Sequence, residues 1–411
     1  MSEASRALAE YLRDESGRLV ASLTRQLGDF DLAEDSVQDA ILEAVRHWPE
    51  TGVPRQPGAW LHVTARRKAA DRLRRAARHR DRVQLLARIA ASAPEPAHEL
   101  IDDRLVLVFM CCHPTLSREA QVALTLRSLL GLSTAQLAKA FLTTEASMIK
   151  RISRAKRKIR EANIPFAIPS GDEVVGRLAQ VLASVYVMFN EGYLSAGAAE
   201  AQRAELAGDA EWLAGLLVRL LPGEPEAIGL LALIRLHNAR RPARFDVGGD
   251  LVLLEDQDRS LWDRSAIDEG LALLNRALRM GQPGYYQAQA AIAACHATAR
   301  RWEDTDWHVI VSLYDQLLAL SDSPVAALNR AIAIRYRDGA DAALAALEPV
   351  SDQLDSYHLF HATRAQLLRA LHRTAEAAGE DRRAAQLTSN PAELQLLRHR
   401  IEGSTVIALD R

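Results

Sequence analysis

The sequence predicts an all-α protein, and three observations carry that prediction. Ala, Leu, Arg and Glu are abundant, aromatic residues make up only 5% of the chain, and β-branched alternation is scarce. Apolar positions recur at helical spacing, as at Met148, Ile152, Ala155 and Ile159. Pro and Gly clusters then cut the chain into long helical blocks. With 411 residues, 48% hydrophobic and 25% charged, the chain has room for two or three soluble domains. No run of about 18 uncharged apolar residues is present, and Met1 to Arg18 alternates charged with apolar residues, so neither a membrane span nor a secretion signal is expected. Three cysteines, Cys111, Cys112 and Cys295, are too few and too uneven for a disulfide framework, which points to a reducing cytoplasm.

Residues 1–82 form the first block, ending in an arginine-rich tract. A linker over 83–103 contains Ala93-Pro94-Glu95-Pro96, a second block spans 104–162, and Ile164-Pro165-Phe166-Ala167-Ile168-Pro169 makes the next break. Residues 171–411 read as one long helical region, punctuated at Pro222-Gly223, at Arg240 to Gly249 and at Pro283-Gly284. Near its end Asn329-Arg330-Ala331 returns as Thr363-Arg364-Ala365 after 34 residues, the tetratricopeptide period. The expected architecture there is an array of helical hairpins, with an irregular bundle as the alternative.

The net charge of −2 hides a division of labour. Residues 1–162 hold 27 Lys and Arg against 20 Asp and Glu, net +7, while the remainder is net −9. Within the first part, residues 51–82 carry ten basic side chains and two acidic ones, and residues 150–160 carry seven and none. Residues 1–50 are the reverse, with eleven acidic and five basic. Two basic stripes beside an acidic segment fit two contacts to a polyanion and one surface for something else.

Two motifs sharpen this reading. Ser133-Thr134-Ala135-Gln136 is a capping box that starts a short helix; the turn Leu142-Thr143-Thr144 follows, then a second helix from about Glu145. That is helix-turn-helix spacing. The second helix would lie in a major groove, with Ser147, Lys150, Arg151 and Arg154 toward bases and phosphates, and Lys156, Arg157, Lys158 and Arg160 mostly neutralising phosphates. Earlier, Pro57-Gly58-Ala59 precedes a helix that interleaves Trp60 and His62 with Arg66, Arg67, Lys68, Arg72, Arg74 and Arg75. Aromatic and basic groups on one helix suit partly unstacked DNA. Trp60 also reads as a core anchor, and Asp71 as an ion-pair partner of Arg74 or Arg75.

In order, Asp31 to Ala40, Trp60 to Arg75, and Leu116 to Lys158 resemble the polymerase-binding, −10-reading and −35-reading parts of extracytoplasmic-function sigma factors. The resemblance implies that the acidic helix bearing Glu34, Asp35, Gln38 and Asp39 docks on the clamp helices of the polymerase β′ subunit, and that the second domain meets the β flap. It also implies that the loop 50–58 with helix 59–75 captures the melted −10 element of promoter DNA, and that helix 145–158 reads the −35 element. The fold implied is two small sigma domains, the second with the helix-turn-helix, followed by a helical-repeat-like C-terminal domain. Phe109-Met110-Cys111-Cys112-His113-Pro114, Phe189-Asn190-Glu191-Gly192-Tyr193, Gln257 to Asp263 and Asp304 to Trp307 are similar to a subgroup with a tetratricopeptide-like extension. In that subgroup the extension is thought to stand in for a membrane anti-sigma factor, and a small DGPF-motif protein is a possible partner. Leu142 stands where the turn usually has Gly, and Ile149 where Lys is common, so base preference does not transfer.

Enzymatic readings find little support. Adjacent cysteines in Cys111-Cys112-His113 diverge on a helix, which favours burial over a metal site; His358 and His361 lack a third ligand; and no Gly-rich phosphate loop, Gly-x-Ser-x-Gly elbow or carboxylate dyad occurs. No cofactor is expected. A stand-alone helix-turn-helix regulator with a helical sensory domain remains the alternative, and an interaction scaffold with incidental basic stripes a third reading. The opposite net charges of the two parts lead to the expectation that the extension docks on the DNA-binding part and sets its availability.

Overall fold

A computed structural model describes residues 3–76, 103–141, 143–169, 173–193, 200–246, 251–388, 394–398 and 400–401. The expected linker over 83–103 therefore lies outside the described residues except for Asp103, as do Leu142 and Gly248-Gly249. Most of the described residues are helical, and the one β-type pairing among them is an isolated bridge between Phe245 and Leu251. They group into two compact units. Residues up to Gly192, with Glu205–Leu213, form the first; Tyr193 and the residues from Ala214 onward belong to the second.

The first unit begins with three helices, α1 (Glu3–Leu27), α2 (Phe30–Thr51) and α3 (Pro57–Ala76). Asp29 caps α2 by accepting from the Leu32 amide at 3.0 Å, and α2 closes at Gly52, whose φ of 82° an L side chain rarely adopts. Val37, Ala40, Ile41, Ala44 and Trp48 make the buried face of α2. Four further helices follow: α4 (Asp103–Cys111), α5 (Arg118–Leu130), α6 (Thr134–Ala140) and α7 (Glu145–Glu161). α5 is almost wholly buried because it is the centre of this unit, touched by α1, α4, α6 and α7. It ends at Gly131, which is left-handed at φ 72° and has Ser16 of α1 about where a Cβ would need to go, at 3.0 Å. Gly17 has the same role one residue on, since a Cβ there would meet the Leu129 backbone at 3.1 Å. Small residues on α1 thus let its backbone lie against the end of α5.

Helix α8 (Glu173–Tyr193) begins beyond the proline break, where the sequence places the extension, yet it packs on α4 and α5. Arg177 donates to the Phe109 carbonyl at 2.7 Å, Arg118 to Ser184 Oγ at 3.3 Å, and Ser184 to Gln121 Oε1 at 2.9 Å.

The second unit takes in the end of α9 (Glu200–Leu220), then α10 (Pro225–Asn238), α11 (Arg264–Arg279), α12 (Tyr285–Thr298), α13 (Trp307–Leu320), α14 (Pro324–Asp338), α15 (Ala340–Leu347), the single turn α16 (Ser351–Leu354), α17 (His358–Ala370) and α18 (Thr374–Leu387). The 34-residue repeat is visible in the helix starts: Pro324 and His358 are one period apart, and so are Ala340 and Thr374. Ala331 and Ala365, the small residues of the repeated triplet, are both fully buried where successive helices meet. Ile310, Val311, Leu328, Ile334, Leu347, Phe360 and Leu367 join α13 to α17 in one core.

Candidate functional site

The helix-turn-helix is assembled as its capping residues dictate. Ser133 Oγ accepts from the Gln136 amide at 3.2 Å while Gln136 Oε1 accepts from the Ser133 amide at 2.8 Å, which starts α6. Thr144 then caps α7 by accepting from the Ser147 amide at 3.2 Å. Met148, Ile152, Ala155 and Ile159 are buried beneath α7, so Ser147, Lys150, Arg154, Arg157 and Lys158 are left on its exposed side. Ile149, beside Lys150, is 50% exposed. Arg151 is half-buried with its guanidinium 5.7 Å from the Phe141 ring centre.

Lys156 departs from the expected phosphate role. It is 7% exposed and its Nζ lies 2.5 Å from Glu34, 2.6 Å from Asp35 and 3.0 Å from Asp31. One turn away along α7, Arg160 reaches Asp31 at 3.2 Å. The reason is geometric: at this point α7 turns the face between its apolar stripe and its basic stripe toward the acidic helix α2.

The four α2 residues expected to meet polymerase are therefore engaged inside the first unit. Glu34 is fully buried between Lys156 and Arg127, whose Nε is 2.7 Å away, at angles that make these ion pairs rather than directed hydrogen bonds. Gln38 is buried and donates to the Arg127 carbonyl at 3.2 Å. Asp35 and Asp39 are clasped by Arg72 of α3 at 2.9 and 2.7 Å. Burial pushes the Glu34 carboxyl above its ordinary range despite the two cations. Burial also acts on Asp35, but Lys156 and Arg72 outweigh it and hold that carboxyl below its usual value. Lys156 is likewise raised: burial alone would lower it, and the Glu34 and Asp35 carboxylates more than compensate.

Along α3 the aromatic and basic residues occupy one helix as expected, but most of the cations have intramolecular partners. Trp60 is half-buried and meets the edge of Trp48 with ring centres 5.3 Å apart. His62 is half-buried, and its pKa is lowered by burial and by Arg66. Arg67 and Lys68 both pair with Glu43 of α2, Arg72 with Asp35 and Asp39, and Arg74 with Asp71 at 2.8 Å. Arg67, Arg74 and Arg75 remain exposed. Sequence patterning placed Asp31 in the acidic run and Arg160 on phosphate and passed over Arg127; all three instead complete the network with Lys156. The signal for Arg127 was present: it is the one cation in the otherwise apolar and small-polar run Val122–Leu130. It also passed over Leu42 and Val45, which leave an exposed apolar strip on α2 next to Arg46 and His47.

In the second unit the run Gln257 to Asp263 is a fastening. Asp263 caps α11 by accepting from the Ala266 amide at 3.0 Å, and Asp258 accepts from the Ser260 amide at 2.8 Å. Arg259, only 7% exposed, donates to the carbonyls of His296 and Ala299 at 2.6 and 2.7 Å, closing the end of α12, and lies over the Trp262 ring. His361 is buried between Glu380 at 2.6 Å and the Asp355 carbonyl at 2.8 Å, whereas His358 lines a cavity. Cys111 and Cys112 are buried, which pushes both thiols up. Among the described residues no cluster of metal-binding side chains occurs, and no helix is long and apolar enough to cross a membrane.

Family models match three stretches of the chain: Sigma-70 region 2 over residues 12–79, Sigma-70, region 4 over 107–159, and a family of unknown function, DUF6596, over 177–278. An uncharacterized protein of Rhizobium meliloti (strain 1021) is 43% identical over 390 residues, covering 93% of this chain and 92% of its own length. The probable ECF RNA polymerase sigma factor SigI of Mycobacterium tuberculosis (strain ATCC 25618 / H37Rv) is 30% identical over 185 residues, 43% of this chain and 60% of that protein.

Proposed function

We infer the function from the premise that this chain belongs to the sigma-70 family, with regions 2 and 4 followed by the helical domain it shares with the Rhizobium protein. It acts as a sigma factor of the extracytoplasmic-function type, binding core RNA polymerase and directing initiation at particular promoters. The observation that carries the reading is α7: its apolar face is buried and Ser147, Lys150, Arg154, Arg157 and Lys158 share the exposed side of a capped helix-turn-helix. Ile149, exposed among them, suits contact with a thymine methyl group. On α3, Trp60 with Arg67, Arg74 and Arg75 supplies the stacking and charge that a melted −10 strand needs.

The polymerase contact is assigned to α2. Leu42, Val45 and Arg46 are free to meet a partner in the conformation described here, while Glu34 and Gln38 become available, and Asp35 loses its Lys156 partner, when region 4 lifts from region 2. The ion pairs of Lys156, Arg127 and Arg160 with α2 are thus read as the latch of a closed form. The C-terminal domain, an array of hairpins with a tetratricopeptide-like period, regulates the outcome. Because α8 packs on α4 and α5 and Glu205–Leu213 also belongs to the first unit, a truncation that tests regulation must cut after Leu213 rather than at residue 170.

Run-off transcription with core polymerase and the full chain tests the main reading. Promoter-specific product that requires both components is expected. Tight, sequence-specific binding to duplex DNA without polymerase, and no product with it, would instead favour the stand-alone regulator.

A further inference from the structure

The second unit carries an open cavity of about 360 Å³, lined by none of the residues assigned above to DNA or polymerase. That volume falls within the range of small-molecule sites, and its lining is mostly apolar. One wall is a continuous aromatic surface. Trp307 stacks on Tyr336 at 4.3 Å, Trp302 stands edge-on to both at 4.9 and 5.1 Å, and His296 stacks against Trp302 at 5.9 Å. Rings in contact with one another leave no gap for a guest between them. An ammonium cage, which needs ring faces around the cation, is excluded; a wall against which a flat molecule can lie is what remains.

The charges at the lining cancel. Glu255 and Arg400 are of opposite sign, and Glu255 already accepts the Tyr336 hydroxyl at 2.8 Å. Burial, reinforced by Arg240 and Arg259, pushes His296 down to about 3, so it is neutral at physiological pH. The uncharged polar groups include Asn329, Thr363 and Gln366, which can donate and accept. The loop carrying Leu253, Leu254 and Glu255 is held in shape from both ends: Gln257 donates to the Val252 carbonyl at 3.2 Å, and Arg259 ties the following turn to the end of α12. A wall fixed before the ligand arrives loses little entropy on binding.

We propose that this cavity is a binding site for a small uncharged molecule with a planar aromatic body, lying against Trp302, Trp307 and Tyr336 and oriented by Asn329 and Gln366. The proposal goes beyond the sigma-factor reading and stands or falls separately from it. The test titrates the full chain with N-phenyl-1-naphthylamine, a flat uncharged fluorophore, following its emission and the quenching of tryptophan fluorescence. One saturable site with Kd on the order of micromolar is expected from its size. Ala362→Phe, which fills the cavity, and Leu359→Arg, at a rim position already 41% exposed, should each weaken binding by about tenfold or more. The rim variant decides the matter if the filled variant does not fold. The sulfonated analogue 1-anilinonaphthalene-8-sulfonate should bind about tenfold more weakly, since its charge finds no compensating field. Absence of saturable binding, or binding unaltered in the folded variants, would overturn the site; equal affinity for the anion would overturn the assignment to an uncharged ligand.

Discussion

Replacing Lys156 by Ala should make this protein bind core polymerase more tightly. Lys156 is 7% exposed and contacts Glu34, Asp35 and Asp31 within 3.0 Å, so its loss removes the central cation of the contact between regions 2 and 4. Breaking a buried ion pair from one side costs about 3 to 5 kcal/mol. The lower figure applies here because Arg127 still faces Glu34 and because Glu34, already raised by burial, can take up a proton. About 3 kcal/mol shifts the opening equilibrium on the order of 100-fold. If only the open form exposes Glu34 and Gln38, the apparent Kd for core polymerase falls by up to that factor, since it equals the intrinsic Kd divided by the open fraction. Competition binding with labelled core polymerase measures the shift, and Arg127→Ala, which removes the other cation facing Glu34, should move it in the same direction. Circular dichroism and thermal melting establish that each variant is folded. A folded Lys156→Ala protein whose affinity for core is unchanged or weaker would refute the latch.

Three further outcomes are expected. Lys150→Ala and Arg154→Ala should lower promoter-specific transcription, and whichever residue touches phosphate should reduce the salt slope of holoenzyme binding to promoter DNA by about one; transcription normal at every salt concentration would dispose of the recognition-helix assignment. Arg259→Ala should destabilise the second unit by roughly 2 to 3 kcal/mol, because it orphans the His296 and Ala299 carbonyls, which the arginine caps from a buried position; an unchanged urea midpoint would argue against the fastening. His296 has a folded pKa of about 3 against an ordinary 6.5, so the unfolded chain binds a proton first as the pH falls. Its contribution is complete above about pH 6.5 and is lost on descending toward 3, and melting curves should show His296→Gln losing less stability than the wild type between pH 7 and 5.

Much was readable from local chemistry. The capping box at Ser133 and Gln136, the apolar stripe of α7 and the Asp71–Arg74 pair are settled by residues within one or two helical turns, where spacing alone decides which side chains meet. The 34-residue spacing of the last two hairpins likewise survives in the sequence because both keep a small residue, Ala331 and Ala365, at the same packing position. Which basic residues would be free was not readable in this way. Lys156 and Lys158 are two residues apart in one basic run, yet one is buried under three carboxylates and the other faces outward. The partners of Lys156 lie more than 120 residues away, and only the tertiary packing brings them to it. The aromatic wall of the cavity follows the same logic: His296, Trp302, Trp307 and Tyr336 come from separate segments, and periodicity within each one carries no record of the others. Sequence by itself determined the helical class, the capping box at Ser133 and Gln136 and the order of the two sigma regions, because those depend on neighbours along the chain. Tertiary structure alone decided which charges neutralise one another, because Coulomb energy and burial depend on distance in space.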